Sequence, residues 1–374
     1  MRTIPLIETT GSPRERGRQH GEAAREEIGR SLAYYREAFG VATGLDWAGV
    51  VAKARRWRPL VADVAPHLLE EVDGIAEGAG AGPDDILALN ARGEIVRSYD
   101  SEFTDMADGC SSYALMPEAT ADQHVYCGQN WDWRIGMADT TVLLRIVQPP
   151  KPTIIMQVEA GQVGRHGANS AGIALNGNGL DGKFGTPPGL PQPFLRRLIL
   201  DSATYADALK TPFDVHQHIA TNLLITHRDG VAIDLETTPE NHRWGYPESG
   251  VLVHVNHYQY GIPPAIERTY RPSSPDSLFR LPRLEAGLRA ARDAAGADGV
   301  RKVVKDSMSD HFGHPYGVCV HPDDRLDPVY RGETVMHSLV DLTAGEYRVI
   351  DGKPCEGDYR LLPWSLYDGP GSDV

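Results

Sequence analysis

Cysteine is the most nucleophilic of the common side chains near neutral pH, and one of the four in this chain, Cys110, follows Gly109 at the head of a strand-like run. Residues 111–116 are small or strand-forming, residues 117–123 make a polar connector, and residues 125–133 return as a second strand. The pattern predicts a β-hairpin. A turn centred near Thr120 would pair Met116 with His124 and Cys110 with Asn130, leaving Asp132 one step further, within reach of the Cys110 backbone amine. Gly109 admits backbone geometries that other residues resist, which suits a strained peptide bond. A thiol beside a main-chain amide can attack the preceding carbonyl, and scission there would leave Cys110 as a new N-terminus. Its α-amine, with a reference pKa of about 7.7–8.0, could then act as base for its own thiol. The plainer reading of Cys110 is a buried cysteine at a strand start.

The elements around this hairpin fall into two blocks. Before it, residues 1–109 read as mainly helical. A short strand over 3–9 precedes Ser12, Pro13 and Glu15, a capping-box arrangement that opens a helix running to about Phe39 with a break near Gly17 to Gly21. Further helices start at Asp46, Pro66 and Pro83, the last ending near Tyr99. After the hairpin, strands dominate: 140–148 with 153–160, a glycine-bounded strand over 168–182, a hairpin over 223–236 turning at Asp229-Gly230, a strand over 250–256, and strands at 334–342 and 346–350. Helices are expected over 193–222, 274–295 and 299–308. Asn176 and Asn178, in a glycine-rich loop, could line a pocket.

The bulk composition is that of a soluble globular chain. It has 374 residues, 41% hydrophobic and 24% charged, enough to bury a sizeable core. A formal net charge of −14 argues against nucleic acid as a partner, because that affinity rests on neutralising phosphates. No apolar run approaches a membrane span, the N-terminus lacks a secretory apolar region, and Cys110, Cys127, Cys319 and Cys355 show no framework spacing. Reduced thiols and a cytoplasmic location are the expectation.

Gly109-Cys110, followed by Gln129-Asn130-Trp131-Asp132-Trp133, resembles the acyl-CoA:6-aminopenicillanic acid acyltransferase family, the C45 group of self-processing N-terminal-nucleophile (Ntn) hydrolases. GSPRERGRQHGEAAREEI, PHLLEEVDGIAEGAGAGPDDILALNARGEI, SDHFGHPYGVCVHPDD and VIDGKPCEGDY extend the resemblance over nearly the whole chain. It implies an α+β fold, the four-layer αββα sandwich, as one domain over 1–374 made as a proenzyme. Residues 1–109 would be one segment of the cleaved protein and 110–374 the other, cut between Gly109 and Cys110. Cys110 would be the nucleophile, Asp132 would hold its α-amine, and Asn256 would be the counterpart of the family's oxyanion-stabilising asparagine. Asn130, Trp131, Asn176 and His257 are candidate substrate contacts, and no metal or organic cofactor is expected. Val320 departs from the basic residue of the family's pattern before the last histidine, leaving Arg325 as a candidate for that charge. The reaction implied is hydrolysis of an N-acyl or aminoacyl amide of a small molecule through a thioacyl-enzyme. Acyl transfer from a CoA thioester or amide to an amine is the alternative.

Other constellations compete less well. His311, His314 and His321, with Asp310, Asp323 and Asp324 nearby, could make a metal-dependent hydrolase, but their spacing lies on a Gly/Pro loop and lacks the helical H-E-x-x-H pattern. A Ser-His-Asp hydrolase lacks its G-x-S-x-G elbow. A non-catalytic binding protein would need none of Gly109, Cys110, Asp132 and Asn256.

Overall fold

In the computed structural model, which describes residues 4–97 and 109–368, β1 (Leu6–Thr10) leads into α1 (Pro13–Ala23). Ser12 and Glu15 form the expected capping box, each side chain satisfying the other's backbone N–H. Then come α2 (Arg25–Thr43), α3 (Trp47–Ala54), α4 (Arg58–Val64), α5 (Pro66–Ala79), α6 (Pro83–Asn90) and α7 (Arg92–Arg97). Proline stands in the first turn of α4, α5 and α6, where its missing N–H leaves no helical bond unmade.

Two helix boundaries differ from expectation. The first helix breaks at Ala24, not at its glycines. Gly17 and Gly21 are where α1 crosses α5: a Cβ on either would stand 2.1 Å from the Glu71 carbonyl oxygen or 2.2 Å from that of Ile75. Gly74 and Gly78 mirror them, with an added Cβ 2.2 Å from the carbonyl oxygens of Arg14 and Arg18. The glycines are there because two backbones touch. The helix expected from Pro83 divides at Ala91, while its end near Tyr99, like Asp108, falls outside the described residues.

The hairpin forms as β2 (Gly109–Leu115) and β3 (Tyr126–Arg134), followed by α8 (Ile135–Ala138), β4 (Thr141–Val147) and β5 (Ile154–Glu159). The expected strand over 168–182 is instead two short ones, β6 (His166–Asn169) and β7 (Ile173–Asn176), reversed at Gly172 with φ of +82°. The helix expected over 193–222 is α9 (Gln192–Leu200) and α10 (Tyr205–Asp214). Its last two residues already belong to β8 (Thr221–His227), which pairs with β9 (Val231–Thr237). The chain continues through β10 (His242–Gly245), β11 (Val251–His254), α11 (Ser277–Leu288), α12 (Gly296–Met308), β12 (Gly332–Asp341), β13 (Glu346–Asp351) and β14 (Arg360–Ser365). No local pattern had suggested α8, β10 or β14.

Eight strands form one sheet in the order β1-β4-β5-β6-β7-β8-β9-β10, and six form the other in the order β11-β2-β3-β12-β13-β14. Among the strands of the described residues, only β1 with β4 is parallel. The two sheets face each other across a core that includes Cys110, Ala114, Cys127 and Trp131 with Leu143, Met156 and Leu224. A second apolar layer, Tyr113, Leu115, Val253, Leu284 and Val304, lies between the six-stranded sheet and α11 and α12, while α9 and α10 pack on β6 to β8. Helices, sheet, sheet, helices: this is the αββα sandwich. Among the described residues no helix is long and apolar enough to cross a membrane.

The hairpin register corrects the sequence reading by one residue. Cys110 pairs with Trp131, not Asn130, and Gly109 pairs with Asp132. The connector is not a tight symmetric turn: it spends a 3₁₀ turn at Pro117–Ala119 and places Gln123 at φ of 60° before β3 begins. One residue of slip exchanges the faces of a strand. Trp131 therefore shares the inter-sheet side with Cys110, while Asn130 and Asp132 share the α11 side with Ser111 and Gly109.

The α1–α5 contact yields a stability test. Gly74→Ala should cost about 1–3 kcal/mol, because the backbones must move apart to admit the methyl group. Gly29→Ala, on an open face of α2 with nothing within 4 Å of the new Cβ, should be neutral or stabilising. Urea unfolding of the two variants measures the contrast, and equal stabilities would refute the close-approach argument.

Candidate active site

β11 stops at His254, opposite Ser112, and continuing that register past the strand end brings Asn256 opposite Cys110. There the side chain takes the place of the backbone: the Cys110 N–H donates to Asn256 Oδ1 at 3.0 Å. Asn256 Nδ2 donates to the Gly179 carbonyl at 3.1 Å, and its own N–H is accepted by Ser277 Oγ at 2.9 Å. Ser277 Oγ in turn meets His257 Nδ1 at 2.7 Å. Burial, with the nearby His254 and Arg280 charges, pushes the His257 pKa down to about 4, which keeps the ring in this contact neutral. His257 thus steadies Asn256 through a serine.

The carbonyl of Cys110 is held as firmly as its amide. Asn178 Nδ2 donates to it at 2.8 Å and Arg280 Nη1 at 3.0 Å. The same Arg280 nitrogen reaches Ser111 Oγ at 3.0 Å, its Nη2 reaches Asn256 Oδ1 at 2.9 Å, and its Nε pairs with Asp276 at 2.7 Å. Arg280 is 1% exposed, so one guanidinium fork stitches α11 to both the cysteine and the asparagine. Sequence reading missed it. The signal was there, as a cation on the face of α11 that buries Ser277, Leu284 and Leu288, but a buried arginine and a surface one look alike without the fold.

Asp132 lies opposite Gly109, its Oδ1 accepting from Thr334 Oγ1 at 2.6 Å. A Cβ at residue 109 would sit 2.9 Å from Asp132 Cβ and 3.2 Å from Oδ2. The approach of Asp132 is thus one reason for glycine here, since a larger side chain would have to displace it. A cleft of about 460 Å³ runs along this side, walled by Gly109, Asp132, Trp133, Asp276, Arg280 and Tyr330.

The four candidate substrate contacts separate. Trp131, fully buried on the thiol's face, carries the Arg165 guanidinium 3.8 Å from its ring centroid, a close cation–π contact. Arg165 and Gly179 also line a small internal cavity of about 50 Å³. Asn130 is engaged in structure: Nδ2 donates to the carbonyls of Met308 and Val318, and Oδ1 accepts from His337. Burial pushes the His337 pKa down to about 3, which keeps that ring a neutral donor at Nδ1. Asn176 bonds the Cys127 thiol, and the neighbouring Asn178 is the one at Cys110. The histidine cluster also regroups: His311 and His321 converge with Cys319 and Cys355, without His314. Arg325 pairs with Asp323 at 2.8 Å.

Comparison with known proteins follows the same direction. The family model described as acyl-coenzyme A:6-aminopenicillanic acid acyl-transferase matches residues 119–349. The acyl-coenzyme A:6-aminopenicillanic-acid-acyltransferase 40 kDa form of Emericella nidulans is 28% identical over 354 residues, 94% of either chain. Among solved structures, penicillin V acylase from Agrobacterium tumefaciens is similar with a TM-score of 0.47 at 14% identity, over 71% of this chain and 88% of that one. A variant of conjugated bile acid hydrolase from Clostridium perfringens is similar with a TM-score of 0.47 at 12% identity, over 70% and 94%.

The Arg280 fork makes a testable demand. Arg280→Gln should slow chain scission before Cys110 at least tenfold, a barrier increase of about 1.4 kcal/mol, with circular dichroism unchanged. Arg280→Lys should not restore the rate, because one ammonium cannot span the Cys110 carbonyl and Asn256 with fixed geometry. Chain bands followed over time after synthesis report the rate. Wild-type scission in Arg280→Gln would remove the arginine from the site.

Proposed function

Because the chain belongs to the acyl-coenzyme A:6-aminopenicillanic acid acyltransferase family, within the Ntn-hydrolase superfamily, it is an enzyme of small acyl and amide substrates, and we propose that it is a self-processing cysteine acyltransferase. The observation that carries this reading is the Cys110 amide. Its N–H is held by a side-chain oxygen of Asn256 and its carbonyl by Asn178 and Arg280, with Asp132 across from Gly109. A structural cysteine would need none of this.

Cys110 Sγ attacks the Gly109 carbonyl, the peptide C–N bond breaks, and the nitrogen takes a proton to become an α-amine. Water then hydrolyses the Gly109 thioester and frees the thiol. The new amine inherits the acceptor already bonded to the amide, Asn256 Oδ1, while the Asp132 carboxylate beside it fixes its charge and orientation. In turnover the amine accepts the thiol proton as Sγ attacks an acyl carbonyl. It returns that proton to the leaving thiolate or amine, giving a thioacyl-enzyme. A second amine then takes the acyl group. The oxyanion role for Asn256 requires its Nδ2 to turn from the Gly179 carbonyl toward substrate, and such a donor is worth about 3–4 kcal/mol.

Hydrolysis had been the first expectation from sequence, with acyl transfer second. The order reverses here, since the matching family model and the Emericella relative are both described as acyltransferases using acyl-coenzyme A. Water remains the competing acceptor of the same thioacyl-enzyme.

Intact mass spectrometry of the active protein should show two associated chains, residues 1–109 and 110–374, and Cys110→Ala should stay whole and inactive. Cys127→Ala, whose thiol is buried on the same hairpin, should process normally. A single full-length species with full turnover would end the proposed mechanism.

Acceptor choice is measured separately. With an acyl-CoA and a primary amine, the 110–374 chain should gain the acyl mass, and amide should exceed free acid as amine concentration rises. Free acid alone, at every amine concentration, would return the enzyme to hydrolysis. Asn256→Asp, which keeps an acceptor for the α-amine but loses Nδ2, should lower kcat with little change in KM. A change confined to KM would make Asn256 a substrate contact.

A further inference from the structure

His311, Cys319 and His321 on one loop, and Cys355 after β13, bring one ligand atom each to within 4.8 Å of one another. The separations are specific: Cys319 Sγ to Cys355 Sγ is 3.5 Å, His321 Nε2 lies 3.8 Å and 3.5 Å from those sulfurs, and His311 Nε2 lies 3.1 Å from His321 Nε2. Tetrahedral zinc with Zn–S near 2.3 Å and Zn–N near 2.0–2.1 Å spaces its ligands at about 3.8 Å for S···S, 3.5 Å for S···N and 3.3 Å for N···N. Four of the six edges match such a tetrahedron closely, and the other two, from His311 to the sulfurs, fall within 4.8 Å. We propose that this chain binds one structural Zn²⁺ through His311 Nε2, Cys319 Sγ, His321 Nε2 and Cys355 Sγ.

The surroundings agree with a ligand set in three ways. Both histidines present Nε2, and Nδ1 of His321 faces Glu356 Oε1 at 4.0 Å, the carboxylate that second shells supply to a ligating imidazole. The Cys355 backbone N–H donates to the Cys319 sulfur, so the loop carrying one proposed ligand is already bonded to the other. A single His311–His321 hydrogen bond accounts for two of these atoms, whereas a cation gives all four a common partner. A disulfide would use the sulfurs but give the converging histidines no role; its S–S bond is about 2.05 Å, well inside the 3.5 Å seen. All four protein ligands close the site to substrate, so the metal is structural, and on binding each cysteine gives its thiol proton to solvent.

The site has a mechanical consequence for the nearby catalytic strand. Cys319 and His321 flank Val320, whose N–H donates to Thr334 Oγ1 at 2.9 Å and whose carbonyl accepts from the Thr334 N–H at 3.0 Å. That Thr334 hydroxyl is the one donating to Asp132. Cys355 belongs to the connection between β13 and β14, so the cation would pin this turn to the loop that follows α12 and hold Thr334 against Asp132.

The test uses the whole chain, purified with reductant from zinc-supplemented culture and desalted exhaustively. One zinc per chain by elemental analysis is expected, with Cys319 and Cys355 protected from alkylation until a chelator strips the metal and Cys127 unaffected by the stripping. Chelation should lower Tm and added Zn²⁺ should restore it. Cobalt substitution should give thiolate-to-metal charge transfer that Cys355→Ser abolishes. His311→Ala should lose metal and His314→Ala should keep it. Should Cys355→Ser fail to fold, alkylation mapping of the unaltered chain still decides. Reduced protein that takes up no Zn²⁺, a Cys319–Cys355 disulfide in zinc-supplemented protein, or zinc retained by both Cys319→Ser and Cys355→Ser would each overturn the proposal.

Discussion

The pairing of β2 with β3, in the register that sets Gly109 against Asp132, is the constraint on which the site depends. It fixes which side of the six-stranded sheet each side chain occupies. The Cys110 thiol faces the inter-sheet core with Trp131, and the carboxylate of Asp132 faces α11 and its arginine. A thiol and a carboxylate on opposite faces cannot touch each other, but both can serve the backbone that lies between them. That is the arrangement the proposed N-terminal amine would require, because the group to be organised is main chain and not side chain. β11 contributes by ending early. Where it would have supplied a carbonyl to the Cys110 N–H, it leaves the position to Asn256.

Buried charge ties the helical segment to the sheets that carry this site. Glu71 on α5 receives Arg16 from α1 and Arg197 from α9, and Arg197 continues to Asp201. Burial works against the Asp201 carboxylate, but Arg197, His67 and Lys151 outweigh it and hold its pKa well below the ordinary range. Removing one member of such a network leaves an uncompensated charge in a low dielectric, at about 3–5 kcal/mol. A second link runs from Arg92 on α7 to Glu159 on β5, with Tyr35 donating to the same carboxylate at 2.7 Å and Trp133 donating to Tyr35 at 3.3 Å. Trp133 is the residue after Asp132, so the helices reach the strand of the candidate site through hydrogen bonds as well as through packing.

The region beyond the strand end on the α11 side is built from loops, and there each polar group has a backbone to serve. His254, buried beside Asp234 and Glu236, meets the opposition of burial, yet those carboxylates raise its pKa. Its carbonyl meanwhile accepts from Asn178, the residue that holds Cys110. The loop carrying Cys319 and His321 adds Thr334 to the same framework. Loops that position catalytic groups need outside anchors, because a strand end has exhausted its ladder bonds.

Local chemistry was legible from the residues alone. The Ser12–Glu15 box, the prolines that open α5 and α6, the turn at Asp229-Gly230 and the hairpin carrying Gly109, Cys110 and Asp132 all follow from short-range backbone preferences. The Gly109-Cys110 dipeptide proposed to react, and Asp132, were visible for the same reason. Tertiary structure alone decided the rest. The hairpin register moved by one residue because a connector with a 3₁₀ turn and a positive-φ Gln123 does not reverse symmetrically. Arg280 reached Cys110, and Cys355 reached Cys319, only through the stacking of separate layers. Asn178 reached the Cys110 carbonyl while Asn176 stayed at the Cys127 thiol, because β7 ends at Asn176 and the chain beyond it leaves the strand's alternation. Periodicity reports which face of an element is apolar. It carries no term for the side chain that another element, distant in the chain, will bring against it.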